Sequence, residues 1–345
     1  MPLRCFGPDG QPIQSFDLTD AEWSALRLDN GRFRQLRMPC CDASVVLKTS
    51  GRGLNFFAHK VRGPCQSAPE TEEHLALKAL AAEAARRAGW TCSTEVNGSA
   101  PSGEPWVADV LAQKGDAKVV IEIQWSRQTL RESLRRQERY RQSGVRCLWL
   151  FRHPLFEHAG FPVSKDFPAV CVSGDMVSGF EVRLPGQAMA LSEFLDAVFA
   201  RRFRYGIPLG AKAAVRIHSG MLDCWKSNCR AQTRIVTFIE VLIGPHHCQF
   251  SVPDLSGFPD LLASCQGRIP RTPYLSVIKQ RYSQTQERNY ISNGCYRCDA
   301  VVGEFFEHYA RNNEATILAE FEIVVSQRWL EAIESQRDDY GWAVL

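Results

Sequence analysis

The sequence predicts an α/β protein: a mixed sheet flanked by helices, with a small cysteine-containing β module before it and a cysteine-rich module after it. Three observations carry this. Residues 105–125, PWVADVLAQKGDAKVVIEIQW, set two apolar, β-branched runs on either side of a turn at Gly115 and Asp116, the pattern of a β-hairpin. Helical patterns precede and follow that hairpin, and a buried-strand run, VRCLWLF, comes next; the order helix, three strands, helix, strand is that of an α/β unit. Cysteines gather towards the two ends, at 40–65 and 224–298.

Composition narrows the class. The chain has 345 residues, enough for two or three domains, and is 45% apolar and 23% charged without repeats. Its longest apolar runs fall short of the roughly 20 residues a membrane span requires. The first residues, MPLRCFGPDG, lack the apolar core of a secretory signal, so a cytoplasmic location with no membrane partner is expected. In that setting thirteen cysteines point to metal binding before disulfides. A net charge of +3 is too small to argue for nucleic acid by itself.

In chain order, residues 1–36 read as a short strand, a turn and a helix, with Thr19 and Glu22 spaced as a capping box. Cys40, Cys41, His59 and Cys65 follow within a stretch containing a strand and a Gly turn; one or both adjacent cysteines with His59 and Cys65 could hold zinc. Residues 69–88 form a helix, with Pro69 in the first turn, arginines near the end and Gly89 beyond it. Glu70, His74 and Lys78 recur every four residues and share a face. A strand (TCSTEVNG) leads to the hairpin. Residues 127–143 form an Arg-rich helix capped by Ser126 or Thr129, on which Arg127, Arg131, Arg135 and Arg139 make a basic stripe suited to phosphates. Further short strands and a helix (LSEFLDAVFARRF) continue the fold or form a linker layer. Cys224 and Cys229, then Cys295 and Cys298, are two cysteine pairs on turns, the arrangement of a closed structural zinc site with four cysteine ligands; His308 is not expected among its ligands. A strand (ILAEFEIVV) and a helix (SQRWLEAIESQR) end the chain.

The chemistry concentrates on the hairpin. Glu122 and Gln124 are two apart and face one way, while Ile121 and Ile123 face the other. With Asp109 on the first strand they form D-(x)n-E-x-Q, a variant of the D-(x)n-(D/E)-x-K arrangement of restriction-endonuclease-like folds. Asp109 and Glu122 would hold Mg2+ or Mn2+ against a scissile phosphate, with a backbone carbonyl such as that of Ile123 completing the shell. Gln124 stands where lysine is usual, so Lys78 or an arginine of the stripe would supply the missing charge. Glu70 could add a metal carboxylate, and His74 could assist proton transfer.

The stretches ETEEHLALK, VADV, VVIEIQWS and RRQERYRQSGVRCLWLF resemble the nuclease core of the competence protein CoiA-like family, and FFAHK resembles that family's HFAH segment. The likeness covers roughly residues 36–155 and continues more loosely beyond. Phe56 replaces the first histidine of HFAH, and the cysteines at 40 and 41 are adjacent where the family has C-x2-C. The resemblance implies a restriction-endonuclease-like core (a mixed sheet flanked by helices, 66–155), an N-terminal small β or zinc-finger-like module (1–65), a continuation or linker layer (156–220) and a C-terminal zinc-ribbon-like module with four cysteine ligands (221–345). It also implies functional roles for Glu70, His74, Lys78, Asp109, Glu122 and Gln124. The expected activity is metal-dependent hydrolysis of DNA in uptake, recombination or defence. The alternatives are a DNA-binding or recombination-adaptor protein that has lost cleavage, and a zinc-stabilised scaffold. Strandedness, DNA against RNA, and oligomeric state are left open by the residues.

Overall fold

The computed structural model describes residues 2–61, 63, 65, 70–152, 164–184, 186–244, 246–335 and 341–345. Its contacts divide the chain into two compact units, Met1–Tyr205 with Gly341–Leu345, and Gly206–Tyr340.

The first unit runs β1 (Arg4–Phe6), β2 (Pro12–Gln14), α1 (Asp20–Phe33), β3 (Val45–Thr49), β4 (Asn55–His59), α2 (Glu72–Arg87), β5 (Thr91–Ser99), β6 (Pro105–Lys114), β7 (Ala117–Gln124), α3 (Leu130–Gln142), β8 (Arg146–Arg152), β9 (Ala169–Asp175), β10 (Gly179–Leu184), β11 (Gln187–Ala190), α4 (Leu191–Phe199) and β12 (Phe203–Tyr205). Seven strands form one mixed sheet in the order β11-β10-β9-β8-β7-β6-β5. β7–β8 and β8–β9 are parallel, and the other pairs are antiparallel. The expected hairpin is β6–β7, with Gly115 taking φ +58° in the two-residue turn. The expected capping box is present on α1: Thr19 accepts from the Glu22 N–H, and the Glu22 carboxylate accepts from Thr19.

The helices cover opposite faces of the sheet. On α2, Ala81, Ala82, Ala84 and Ala85 are fully buried and bring the helix close to Val110, Ala112, Ile121 and Ile123. On α3, Tyr140 joins Ala108, Val120 and Trp149 on the other face. Thr71 caps α2 and Thr129 caps α3, each side chain accepting a backbone N–H. The expectation for Pro69 lies outside the described residues.

The second unit runs β13 (Lys212–Asp223), β14 (Gln232–Ile243), β15 (His246–Phe250), α5 (Pro259–Gln266), β16 (Lys279–Ser283), β17 (Arg288–Gly294), β18 (Val301–Val302), α6 (Glu304–Ala310), β19 (Thr316–Val324) and α7 (Gln327–Ser335); β20 (Trp342–Val344) then pairs with β12 in the first unit. Its main sheet is antiparallel, in the order β15-β14-β13-β19, with β16-β17-β18 as a smaller sheet. Val215, Ile217, Val236, Ile239 and Phe250 form the core with Leu261 and Trp329.

The segment expected as a continuation or linker layer, 156–220, is divided between the two units at Tyr205 and Gly206. β9, β10 and β11 extend the sheet of the first unit, and β13 already belongs to the second. Residues 1–65 also pack within the first unit, where Leu3, Phe56 and Ala58 share a core with Leu75 and Ala79 of α2. Among the described residues, no helix is long and apolar enough to cross a membrane.

Glu307 on α6 is buried and accepts from the Asn293 side-chain amide at 2.8 Å. Burial pushes its carboxyl up to about 8, against the Asn293 bond. An acid whose folded pKa is raised is more protonated folded than unfolded, so its stabilising contribution is complete below the usual carboxyl range and is lost as pH rises to about 8. We expect the melting temperature to fall between pH 5 and 8 by an amount equivalent to a few kcal/mol. Glu307→Gln should flatten that pH profile in differential scanning calorimetry.

Candidate metal centre and the CoiA-like stretch

Thr71 accepts from the His74 N–H at 3.2 Å and fixes the entry to α2, setting Glu70 just before the cap and His74 in the first turn. Lys78 follows one turn later and is only 1% exposed. Its Nζ bonds Glu70, lies 2.9 Å from Glu95 Oε1 and 3.3 Å from Asp109 Oδ1. A lone buried ammonium is strongly disfavoured, so these three carboxylates are what make Lys78 tolerable there. Burial alone would pull its pKa down; the charges of Glu95, Asp109 and Glu70 outweigh this and hold it well above the usual lysine value.

Two irregularities in the sheet bring the acids to α2. Glu95 on β5 takes a left-handed φ of +49°, unusual for a residue with a side chain. Opposite it, the β6–β7 ladder ends at the pair Val110–Ile121. Ala108 and Val110, two apart on β6, pack into the cores on opposite faces, so the strand's alternation reverses at Asp109. The Asp109 carboxylate then accepts from the Ile123 N–H at 2.9 Å and lies 3.5 Å from His74 Nε2. Burial would raise its pKa, but Lys78 and His74 hold it below the usual range.

The resulting donor set is Glu70, His74 and Asp109, whose ligand atoms all lie within 4.8 Å of one another and could hold a metal ion. Glu95 Oε2 sits beside this group, buried and without a hydrogen-bond partner. An unsatisfied buried carboxylate oxygen and a convergent donor set both fit a cation.

Glu122 is not part of that set. The Glu122 carboxylate turns to α3, where Arg136 and Tyr140 both donate to it, so the structure groups Asp109 with Glu70 and His74 and sets Glu122 among α3 partners. Burial and the charge of Asp109 push Glu122 up to about 7, opposed by Arg136 and Tyr140. Gln124 is tied to the turn after β7, its Nε2 donating to the Ser126 carbonyl at 2.7 Å.

The basic stripe is also revised. Arg127 precedes the Thr129 cap and lies off the helix. Arg135 pairs with Glu104 at 2.9 Å, and Arg139 donates to the Pro105 carbonyl at 2.8 Å and lies 3.4 Å from Glu132. Sequence reasoning missed Arg136, Tyr140 and Glu95. An available signal was Tyr140, the one aromatic residue of the helix, four positions after Arg136.

Both cysteine clusters assemble. Cys224 and Cys229 lie between β13 and β14, Cys295 and Cys298 between β17 and β18, and their sulfurs converge with Cys224–Cys298 at 3.6 Å and Cys229–Cys295 at 3.8 Å. Four thiolates around a tetrahedral zinc at about 2.3 Å would stand about 3.8 Å apart. Burial opposes ionisation of Cys295, yet the Thr233 hydroxyl and the N–H groups of Cys298 and Arg297 bring its thiol down to about 6, favouring the ligating thiolate. His308, exposed on α6, lies outside this set. In the first unit, Cys40, Cys41, His59 and Cys65 converge likewise, with Cys40–Cys65 at 3.6 Å and Cys40 to His59 Nε2 at 3.5 Å.

Residues 70–164 match the family described as competence protein CoiA, nuclease-like domain. The chain therefore carries a CoiA-like stretch, as its sequence motifs indicate, and the match starts at Glu70 and spans α2, the β6–β7 hairpin, α3 and β8. Glu95, Asp109, Glu122 and Arg136 all lie inside it; both cysteine clusters lie outside. No curated protein matches the chain.

Removing Lys78 would leave three carboxylates around an apolar side chain. Lys78→Met should cost about 3–5 kcal/mol in urea unfolding. Millimolar Mn2+ should recover part of that loss in Lys78→Met and more than it adds to wild type.

Proposed function

We propose that this chain is a CoiA-like, divalent-metal-dependent nuclease that hydrolyses phosphodiester bonds in DNA, built on a restriction-endonuclease-like core. The observation that carries the reading is the convergence of Glu70, His74 and Asp109 beside the buried Lys78, within the CoiA nuclease-like match. Two carboxylates and an imidazole suit Mn2+ better than Mg2+, because imidazole is the softer ligand. Such an ion, when bound, polarises a phosphoryl oxygen and lowers the pKa of an attacking water.

The remaining roles belong to the chain. Lys78 keeps Asp109 ionised and holds Glu70, Glu95 and Asp109 in one cluster; it also supplies the fixed positive charge that Gln124 lacks. The Ile123 N–H fixes one Asp109 oxygen. Exposed Arg127, before the Thr129 cap, and Arg131, in the first turn of α3, are suited to phosphates of the substrate strand. Glu122 acts from behind, its charge set by Arg136 and Tyr140. The two cysteine clusters serve as structural zinc sites.

A second reading, DNA binding without hydrolysis, is favoured by one observation: Glu122, the acid of the E-x-Q motif, is engaged by Arg136 and Tyr140. Cleavage of plasmid and single-stranded DNA under a metal titration separates the two. Wild type should cut, with Mn2+ effective at lower concentration than Mg2+. Asp109→Ala should lose about 100-fold or more while keeping the wild-type circular dichroism spectrum. Cutting by Asp109→Ala at the wild-type rate would overturn the site, and salt-dependent binding with no cleavage under any metal would favour the second reading.

Elemental analysis of the purified chain should find two zinc ions per molecule. Cys295→Ala should lose one of them and lower the melting temperature of the unit spanning 206–340.

A further inference from the structure

The four-cysteine end of the second unit carries side chains that its own core does not use. Among the described residues, six of the seven exposed aromatic side chains lie between Trp225 and Tyr309, and the seventh is Phe33. Two of the six stand on the cysteine turns themselves: Trp225 follows Cys224 and is 56% exposed, and Tyr296 follows Cys295 and is 40% exposed. The convergence of the four sulfurs holds these two turns together. The Trp225 indole N–H donates to the Val301 carbonyl at 2.9 Å, which fixes the ring while leaving it accessible. Tyr274 meets Tyr296 edge to face at 5.0 Å and is 57% exposed.

Tyr274 also holds φ at +69°. That conformation is unfavourable for a bulky aromatic residue, and such strain persists only where surrounding contacts impose it. Here the Arg234 N–H donates to the Tyr274 carbonyl at 2.8 Å, and the Ser276 N–H donates back to Arg234 at 2.8 Å. The backbone is thus pinned in a form that presents the ring to solvent.

Positive charge is interleaved with these rings. Lys226 follows Trp225 and lies 5.8 Å above its ring, Arg297 follows Tyr296, and Arg271 lies three residues before Tyr274. Residues 266–300 expose five Lys and Arg side chains, Arg268, Arg271, Lys279, Arg288 and Arg297, against two acids, Glu287 and Asp299. A purely apolar partner would gain nothing from that excess, whereas a polyanion would. Rings open to stacking among cations fit the bases and phosphates of an unpaired strand.

We propose that the four-cysteine end of the second unit binds single-stranded nucleic acid, with Trp225, Tyr274 and Tyr296 stacking on bases and Lys226, Arg271 and Arg297 meeting the phosphates. This binding is separate from hydrolysis at Glu70, His74 and Asp109 and would persist if that activity were absent.

The test uses the full chain carrying Asp109→Ala, so that strand cleavage does not contribute. Fluorescence anisotropy is measured with labelled oligodeoxyuridylate, oligouridylate and an abasic deoxyribose-phosphate strand of equal length. Either base-bearing strand should bind at least tenfold more tightly than the abasic strand, and the tighter of the two names the natural sugar. Trp225→Ala with Tyr296→Ala should weaken base-bearing binding by about tenfold per ring, with zinc content unchanged. The Phe replacements at both positions should restore most of it. Arg271→Ala should lower the salt dependence of binding by about one counterion. Equal affinity of the double alanine variant and its parent, or equal affinity for abasic and base-bearing strands, would overturn the proposal. So would loss of a concentration-dependent dimer in the double variant with no change in strand affinity, which would assign the rings to self-association.

Discussion

Lys78 is the charge on which the architecture of the first unit turns. Its ammonium is buried under α2 and is surrounded by Glu70, Glu95 and Asp109, one acid from the helix entry and two from adjacent strands. None of these groups would be stable at that depth alone; together they offset one another's desolvation. The requirement reaches outward. It brings Glu95 into a left-handed backbone conformation, coincides with the reversal of alternation at Asp109, and ties the start of α2 to the edge of the sheet. The negative charges exceed the positive one, which makes the cluster a place for a cation.

The same strand region faces two ways. Asp109 serves the α2 side, while Glu122, its neighbour across the hairpin, serves α3 through Arg136 and Tyr140. Arg136 also lies 5.1 Å above the Trp149 ring, so its guanidinium links the acid to the aromatic core under α3. Asp109 is engaged by Lys78, His74 and the Ile123 N–H, so the two acids of the motif have different partners. The cysteine clusters work on another principle. The four-cysteine set gathers its ligands from turns whose own hydrophobic contacts are few, Cys224, Ala231, Cys295 and Ala300, where a metal would supply what the small core lacks.

Much of this was legible in the residues because it depends on local periodicity. The β6–β7 hairpin, the capping box at Thr19 and Glu22, α2, α3 and the four-cysteine set all follow from spacings of two, three or four residues or from turn chemistry. The shared face of His74 and Lys78 followed from the same four-residue step, whereas Glu70 lies before the Thr71 cap and reaches Lys78 from outside the helix. β13 was legible too, since Ala213, Val215 and Ile217 alternate with Arg216 and His218, although its charged residues masked it as linker.

What the sequence by itself determined is which groups could meet along one helix or one strand. What only the tertiary structure decided is which groups meet between them. Period-two logic put Glu122 and Gln124 on one face, and the hairpin was expected to bring Asp109 to them; the break in alternation at Ala108–Val110, beside Glu95 at positive φ, turned Asp109 and Glu122 to opposite helices. Glu95, Arg136 and Tyr140 carry no motif and acquire meaning only from partners distant in the chain. The physical reason is that side-chain direction within an element is set by backbone geometry, whereas the pairing of buried charges is set by packing between elements, where desolvation makes every unpaired group costly.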